Sequence, residues 1–182
     1  MILMVDPALQ LLLQTGLSLL FAVAAFHKAV DLADFSTSLD AYRLLPERWT
    51  RIAARSLVVF ETCVAVGVWL SRLATAAAAA LLTVYTIAIV INLMRGRRDI
   101  DCGCGGPGRK QTLSYKLVVR NAALIALATI CAFPTAGRPL LWIDGLTVIA
   151  GVTVLSLLYG AGDSLLSNRL DRELHVHEVQ HA

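Results

Sequence analysis

Charge is scarce in this chain. Only 16% of its 182 residues are Asp, Glu, Lys or Arg, against roughly a quarter in an average soluble domain. Hydrophobic residues make up 57%, and mean hydropathy is +0.69. A soluble domain of this size has too little interior to hide that much apolar surface, which sets the soluble class aside. Net charge is a small +3, and no basic stripe is interleaved with aromatics, so the footprint of a nucleic-acid binder is missing. The leader M-I-L-M-V-D-P holds no positive residue. The apolar run behind it is too long for the core of a secretory signal, so it is expected to be retained as a span. No low-complexity linker interrupts the chain apart from an alanine run at Ala76–Ala80, where small residues allow close helix contact.

What is present is a series of uncharged runs. A bilayer core about 30 Å thick is crossed by ~20 apolar helical residues. Ala8–Phe26 and Leu73–Met94 carry no charge, Arg55–Leu70 carries only Arg55 and Glu61, Leu117–Phe133 only Arg120, and Leu140–Tyr159 only Asp144. These runs predict five transmembrane helices, about 8–30, 52–71, 73–94, 115–133 and 139–160. The fold class is therefore an all-α integral membrane protein, with a transmembrane domain over 1–162 and a polar tail over 163–182. In the tail Leu166, Leu170 and Leu174 recur every four residues, the mark of an amphipathic helix. The joint between the second and third spans is only Ser71-Arg72, which predicts an antiparallel hairpin. Between residues 31 and 51 the chain is polar and mixed. There Leu39, Tyr42, Leu44 and Leu45 would lay a short helix on the membrane surface, with Trp49 at headgroup level.

Lys and Arg in short loops stay on the cytoplasmic side. Lys28, Arg43, Arg48 and Arg51 follow the first span, and Arg95, Arg97, Arg98, Arg109 and Lys110 follow the third. The tail adds Arg169 and Arg172, while the opposite side has only Arg72 and Arg138. The expected location is a bacterial inner membrane crossed several times, with the N-terminus outside and the C-terminus cytoplasmic.

The loop after the third span contains D-C-G-C-G-G, residues 101–106. A bond between Cys102 and Cys104 needs a sharp backbone bend, which Gly103, Gly105 and Gly106 permit. So small a ring is strained and readily reduced, which suits exchange better than stapling. The flanking basic residues, and the positive end of a helix starting near Ser114, favour thiolate; Asp99 and Asp101 oppose it. Structural zinc wants four ligands, commonly from Cys-x-x-Cys pairs, whereas the loop offers one tighter pair. A redox dithiol is the favoured reading. A soft-metal site and a merely structural turn stay open beside it.

Four other positions carry chemistry. Cys63 and Cys131 read first as buried core thiols; the functional alternative is a second, intramembrane redox pair. Glu61 is costly inside a span. It either handles protons for thiol or quinone chemistry or pairs with an inward basic group such as Arg120, Arg55 or His27. Lys28 reads as snorkelling to the interface, and His27 beside it is a candidate proton shuttle. Asp144 reads as a solvated residue near the outer end of the fifth span. His175, His177, His181 and Glu178 read as an exposed polar tail rather than a metal site. No catalytic or structural metal is assigned.

The run A-F-H-K closing span one, the segment D-F-S-T-S-L-D-A-Y-R-L-L-P and the D-C-G-C-G-G loop together resemble the MauE family of DoxX-like membrane proteins. The resemblance covers about residues 15–160. It implies a four-helix bundle like that of vitamin K epoxide reductase, to which the fifth span would be peripheral. It also implies a thiol–disulfide redox role in maturing exported disulfide-containing proteins, with a methylamine dehydrogenase-type client and a thioredoxin-like thiol protein as partners. By that likeness Cys102 and Cys104 are the active pair, with Glu61 and His27 as proton handlers. No cofactor is certain, although a quinone would serve as electron carrier. A homo-oligomer is left open. The competing class is non-enzymatic: a membrane scaffold, transport-associated subunit or soft-metal-binding protein.

Overall fold

A computed structural model describes residues 4–102 and 112–157. The chain divides into two compact units, Met1–Arg138 and Pro139–Ala182. In the first unit the helices are α1 (Pro7–Val30), α2 (Leu32–Ala41), α3 (Glu47–Gly67), α4 (Arg72–Met94) and α5 (Tyr115–Cys131). The second contains α6 (Trp142–Leu157), where Asp144 Oδ2 accepts from the Leu141 amide at 2.8 Å. This bond holds the opening turn of α6, so Asp144 works as a capping residue. Among the described residues the only β pairings are two isolated bridges.

Local chemistry sets the helix ends. Asp6 accepts from the Ala8 amide at 2.8 Å and Pro7 fills the first helical position, a strong start signal. Asp31 then ends α1 and caps α2, accepting from the Asp34 amide at 2.9 Å. The break lies at this aspartate, and α2 therefore occupies Leu32–Ala41. The expected surface helix ran further along the chain. Instead Arg43 takes a left-handed φ of 48°, Leu44 and Leu45 fall in the connecting turn, and Pro46 leads into α3. Tyr42 is turned inward and buried.

The hairpin between α3 and α4 depends on Gly67. A Cβ there would lie 2.8 Å from the Ala74 Cβ, so the backbones approach to a distance that only glycine allows. Ser71 caps α4 by accepting from the Ala74 amide at 3.2 Å. At the other end the Gly96 amide donates to the Leu93 carbonyl and the Arg97 amide to the Asn92 carbonyl, each at 3.0 Å. With Gly96 at φ 73°, this is the Schellman arrangement of a helix end.

The first unit is an antiparallel arrangement of α1, α3, α4 and α5, with α4 packed on α5 and α1 on α3. Ser18 Oγ donates to the Ala65 carbonyl at 2.7 Å and Gln14 Nε2 to the Val68 carbonyl at 3.2 Å, tying α1 to α3. In lipid, where burial against a neighbour gains little over burial in acyl chains, such bonds and close packing hold helices together. One end of the bundle gathers the start of α1, the α3–α4 turn and the end of α5. There the Val5 amide donates to the Pro134 carbonyl and the Ala136 amide to the Val5 carbonyl; Arg138 pairs with Asp6, and Thr135 bonds Gln10. The opposite end gathers α2, the start of α3, the end of α4 and the cysteine loop.

Two helices, α1 and α4, are long and apolar enough to cross a membrane. The shorter α5 and α6 and the more charged α3 fall where spans were expected but do not meet that measure themselves. Large apolar side chains face outward on every long helix, including Val23, Val59, Val84, Val119 and Ile149. That is the pattern of a surface suited to acyl chains rather than water.

Candidate functional site: a buried polar cluster and the cysteine loop

Each long helix carries one apolar stripe into the bundle, and polar residues interrupt these stripes; on α5 the buried one is Asn121, and those on α1, α3 and α4 come together. On α1 the buried positions are Leu13, Leu17, Phe21, Ala25 and then Lys28. On α3 they are Ala54, Glu61, Val64 and Ala65. On α4 the stripe runs through Ala78, Leu82, Ile89 and Asn92, and Tyr85 falls on it between Leu82 and Ile89. These interruptions meet. Lys28 Nζ pairs with Glu61 Oε1, and the Tyr85 hydroxyl donates to the same oxygen at 2.7 Å. Lys28 Nζ also lies 3.4 Å from the Tyr85 hydroxyl. Aromatic rings complete the setting, with the Phe35 centroid 5.0 Å and the Tyr85 centroid 4.8 Å from the ammonium. Lys28 is 3% exposed and Glu61 1%.

Lys28 therefore does not snorkel. Snorkelling needs a nearby exit to the interface, and the end of α1 is not the end of the bundle. Tyr85 lies nine residues, about 14 Å, before the close of α4. Glu61 lies fourteen residues, about 21 Å, beyond the start of α3. Helix α2 turns back to cover Lys28 with Phe35, and Asp40 accepts from Thr50 at 3.3 Å where α2 meets α3.

Two buried acceptors lack a partner among the described residues: Glu61 Oε2 and Asn92 Oδ1. Asn92 is fully buried, and its Nδ2 donates to the Ala88 carbonyl at 3.1 Å. Tyr85 and Asn92, seven apart, share one face of α4, with Asn92 on the side of the cysteine loop.

The loop is pinned at its neck. Asp101 and Thr112 form an antiparallel bridge, and the Leu113 amide donates to the Ile100 carbonyl at 3.1 Å. Cys102 is partly buried and packs on a second apolar cluster of Tyr42, Ile89, Leu93, Ile100, Leu113 and Leu117. Cys104, Gly103, Gly105, Gly106, Arg109 and Lys110 lie outside the described residues, as do the tail leucines and histidines.

The other expected site residues disperse. His27 is half-buried, with its ring against Phe26 at 6.2 Å between centroids. It does not join the cluster that its neighbour Lys28 enters. Cys131 is buried in the apolar core that includes Leu17, Phe21, Val64 and Leu82, while Cys63 is exposed on α3, so the core-thiol reading fits Cys131 but not Cys63. Cys63, with Arg55, Ser56, Val59 and Phe60, lines an open groove of about 330 Å³ on the flank of α3. Among the described residues no three His, Cys, Asp or Glu side chains are grouped to hold a metal ion. At the far end of the bundle, the Arg138 guanidinium holds the Asp6 carboxyl below its ordinary value, with help from the Ala8 amide.

Tyr85 and the pairing of Lys28 with Glu61 escaped the sequence reading. The signal was present in the spacing. Phe21, Ala25 and Lys28 continue one stripe, and so do Leu82, Tyr85 and Ile89.

Comparison with known proteins agrees with the motifs. Residues 6–134 match the family model described as methylamine utilisation protein MauE. The chain is 39% identical to the methylamine utilization protein MauE of Paracoccus denitrificans over 163 residues, covering 87% of this chain and 88% of that one. Identity to its counterpart in Paracoccus versutus is also 39%, over 88% of each chain. To that of Methylorubrum extorquens it is 39% over 174 residues, 92% of this chain and 91% of the other. No solved structure matches.

Proposed function

Because the chain belongs to the MauE family, we propose that it is a membrane thiol–disulfide redox protein of methylamine utilisation, acting through the dithiol Cys102/Cys104. One cysteine attacks a disulfide of a thioredoxin-like partner or an exported client, and the other resolves the mixed disulfide. The client class is a disulfide-containing exported protein of the methylamine dehydrogenase type. Five membrane spans in the inner membrane, four of them forming the bundle, are part of the same reading.

The observation that supports it best is the seating of Cys102. Its loop is anchored by a backbone bridge at the neck, and the sulfur rests half-exposed on an apolar cluster. A nucleophile needs such partial access and fixed placement, whereas a structural thiol is normally buried outright. Arg95, Arg97 and Arg98 lead into the loop, opposed by Asp99 and Asp101 beside the cysteine. Glu61 handles protons in this scheme, and His27 is the second candidate at the same end of α1.

Alkylation trapping of the full chain in membranes tests this. Reducing and oxidising poises are expected to interconvert a dithiol and a Cys102–Cys104 disulfide, and the interconversion is lost in Cys102→Ser. Thiols that stay reduced under every poise, with function kept in the double serine variant, would exclude the redox role and leave a scaffold.

A further inference from the structure

A carboxylate that makes its bonds through one oxygen and leaves the other buried and bare is an unfinished arrangement. Glu61 Oε1 takes both the Lys28 ammonium and the Tyr85 hydroxyl, while Oε2 has no partner among the described residues although the residue is 1% exposed. Structural ion pairs in a low-dielectric interior persist when the remaining lone pairs are satisfied. An acceptor left open at such a place is suited to receiving a proton.

We propose that the Lys28–Glu61–Tyr85 cluster is a proton-binding site in which Glu61 Oε2 takes up the proton shed by a loop cysteine and returns it to the partner's departing thiolate. The inference rests on the dithiol reading above and adds Lys28, Tyr85 and Phe35 to it. The steps balance. A loop S–H loses its proton to Glu61, and the thiolate attacks the partner disulfide. One S–S bond forms as the partner's breaks, and the released partner thiolate takes the proton back. The second loop cysteine then closes the Cys102–Cys104 bond, and its proton follows the same route. Two electrons and two protons end on the partner's sulfurs.

The surroundings suit this cycle. When Glu61 is neutralised, Lys28 would be a bare buried cation, were it not for the Tyr85 hydroxyl at 3.4 Å and the rings of Phe35 and Tyr85 at 5.0 and 4.8 Å. Aromatic rings hold a desolvated ammonium, so the site keeps its cation while the carboxyl changes charge. The site is linked to the loop along one face of α4. Ile89, one turn beyond Tyr85 on the same face of α4, belongs to the cluster on which Cys102 packs. Asn92 Oδ1, the other bare buried acceptor, lies one turn further toward the loop.

Besides the cluster itself, the charged and titratable groups on the packed elements are His27 on α1, Asp31 at the α1–α2 joint, Asp34 and Asp40 on α2, Glu47, Arg48, Arg51, Arg55 and Cys63 on α3, Arg72 on α4, and Tyr115, Lys116, Arg120 and Cys131 on α5. Of these, Asp40 is engaged with Thr50, Arg55 and Cys63 line the outer groove, and Arg120 has a partner of its own.

Full-length protein in lipid nanodiscs provides two measurements. The first is an infrared pH titration, where a protonated-carboxyl C=O band should appear on acidification and vanish in Glu61→Gln. The second is the pH profile of the reduced protein's reaction with dithiobis(nitrobenzoate). Glu61→Gln should slow it about a hundredfold near neutral pH, the lower end of what a positioned proton-transfer group contributes, and flatten the profile; Glu61→Asp should restore part of both. Helical circular dichroism identifies variants that fold. A missing Glu61 band, or an unchanged profile in folded Glu61→Gln, would overturn the proposal while leaving a reactive dithiol in place. A Glu61 band beside inert loop thiols would refute the dithiol reading and the sulfur half of this cycle, and would uphold proton binding at Glu61.

Discussion

At the residue scale, the buried pair decides how much substitution this bundle tolerates. Lys28 and Glu61 are almost fully enclosed, so neither can recover solvation when the other is removed. Lys28→Met leaves an uncompensated carboxylate, and the expected loss is about 3–5 kcal/mol. The double change Lys28→Met with Glu61→Leu replaces the pair by apolar groups of similar volume, and most of that loss should return. Thermal unfolding in one detergent compares the two directly; a double variant no more stable than the single would show that the charges were not coupled. The same pair shows what sequence could and could not disclose. Glu61 stands out because a carboxylate inside an apolar run is costly wherever it lies. Lys28 does not, because a lysine closing an apolar run has an ordinary explanation at the interface. Choosing between the two requires knowing that α2 folds back over the end of α1, and that depends on the break at Asp31 and contacts 33 residues apart. The stripe Phe21–Ala25–Lys28 pointed inward, but a stripe identifies a buried face without naming what lies across it.

Among the elements, the ends of α1 and α4 were legible, whereas α3 runs over Glu47–Gly67 rather than the expected 52–71, and the helices' partners were not legible. Asp6-Pro7, Ser71 and Gly96 mark their boundaries through local hydrogen bonding and backbone preference, which act over a few residues. The α3–α4 hairpin adds a close approach at Gly67, where a Cβ would meet that of Ala74 at 2.8 Å. Gly67→Ala should therefore push the helices apart and cost about 1–3 kcal/mol, the usual range for overpacking. Adding Ala74→Gly removes the opposing carbon and should recover part of this stability, read as a return of the melting temperature. A Gly67→Ala variant as stable as the parent would mean that the turn yields freely. The clamp between Asp6 and Arg138 predicts a pH effect. The folded carboxyl titrates below its ordinary value of 3.8 because of the guanidinium and the Ala8 amide. A depressed value means the contribution is present above the unfolded value and is lost as pH falls through the folded one. The stability difference between the parent and Asp6→Asn should thus be flat at neutral pH, begin to shrink near the ordinary value of 3.8 and vanish only below the lower folded value. Both side chains are exposed, so the difference should be small; a difference that grew on acidification would contradict the assignment.

For the whole molecule, the antiparallel order of α1, α3, α4 and α5 sorts the charges into two ends. The end with α2 and the cysteine loop has Arg43, Arg48, Arg51, Arg95, Arg97 and Arg98, and the other has Arg72 and Arg138. Lys28 leaves this comparison, since it is buried and paired rather than in a loop, yet the imbalance survives without it. Lys and Arg are held on the cytoplasmic side, so Cys102 is expected to face the cytoplasm and the Asp6–Arg138 clamp the outside. In intact cells, a membrane-impermeant thiol reagent should fail to block Cys102 and succeed after permeabilisation, in a variant where Cys63, Cys104 and Cys131 are replaced by serine. A cysteine introduced at Arg138 should label before permeabilisation and serve as the control. Labelling of Cys102 in intact cells would invert the orientation and put the dithiol on the side of exported clients. Protection would instead require that reducing equivalents enter from the cytoplasm and cross the bundle.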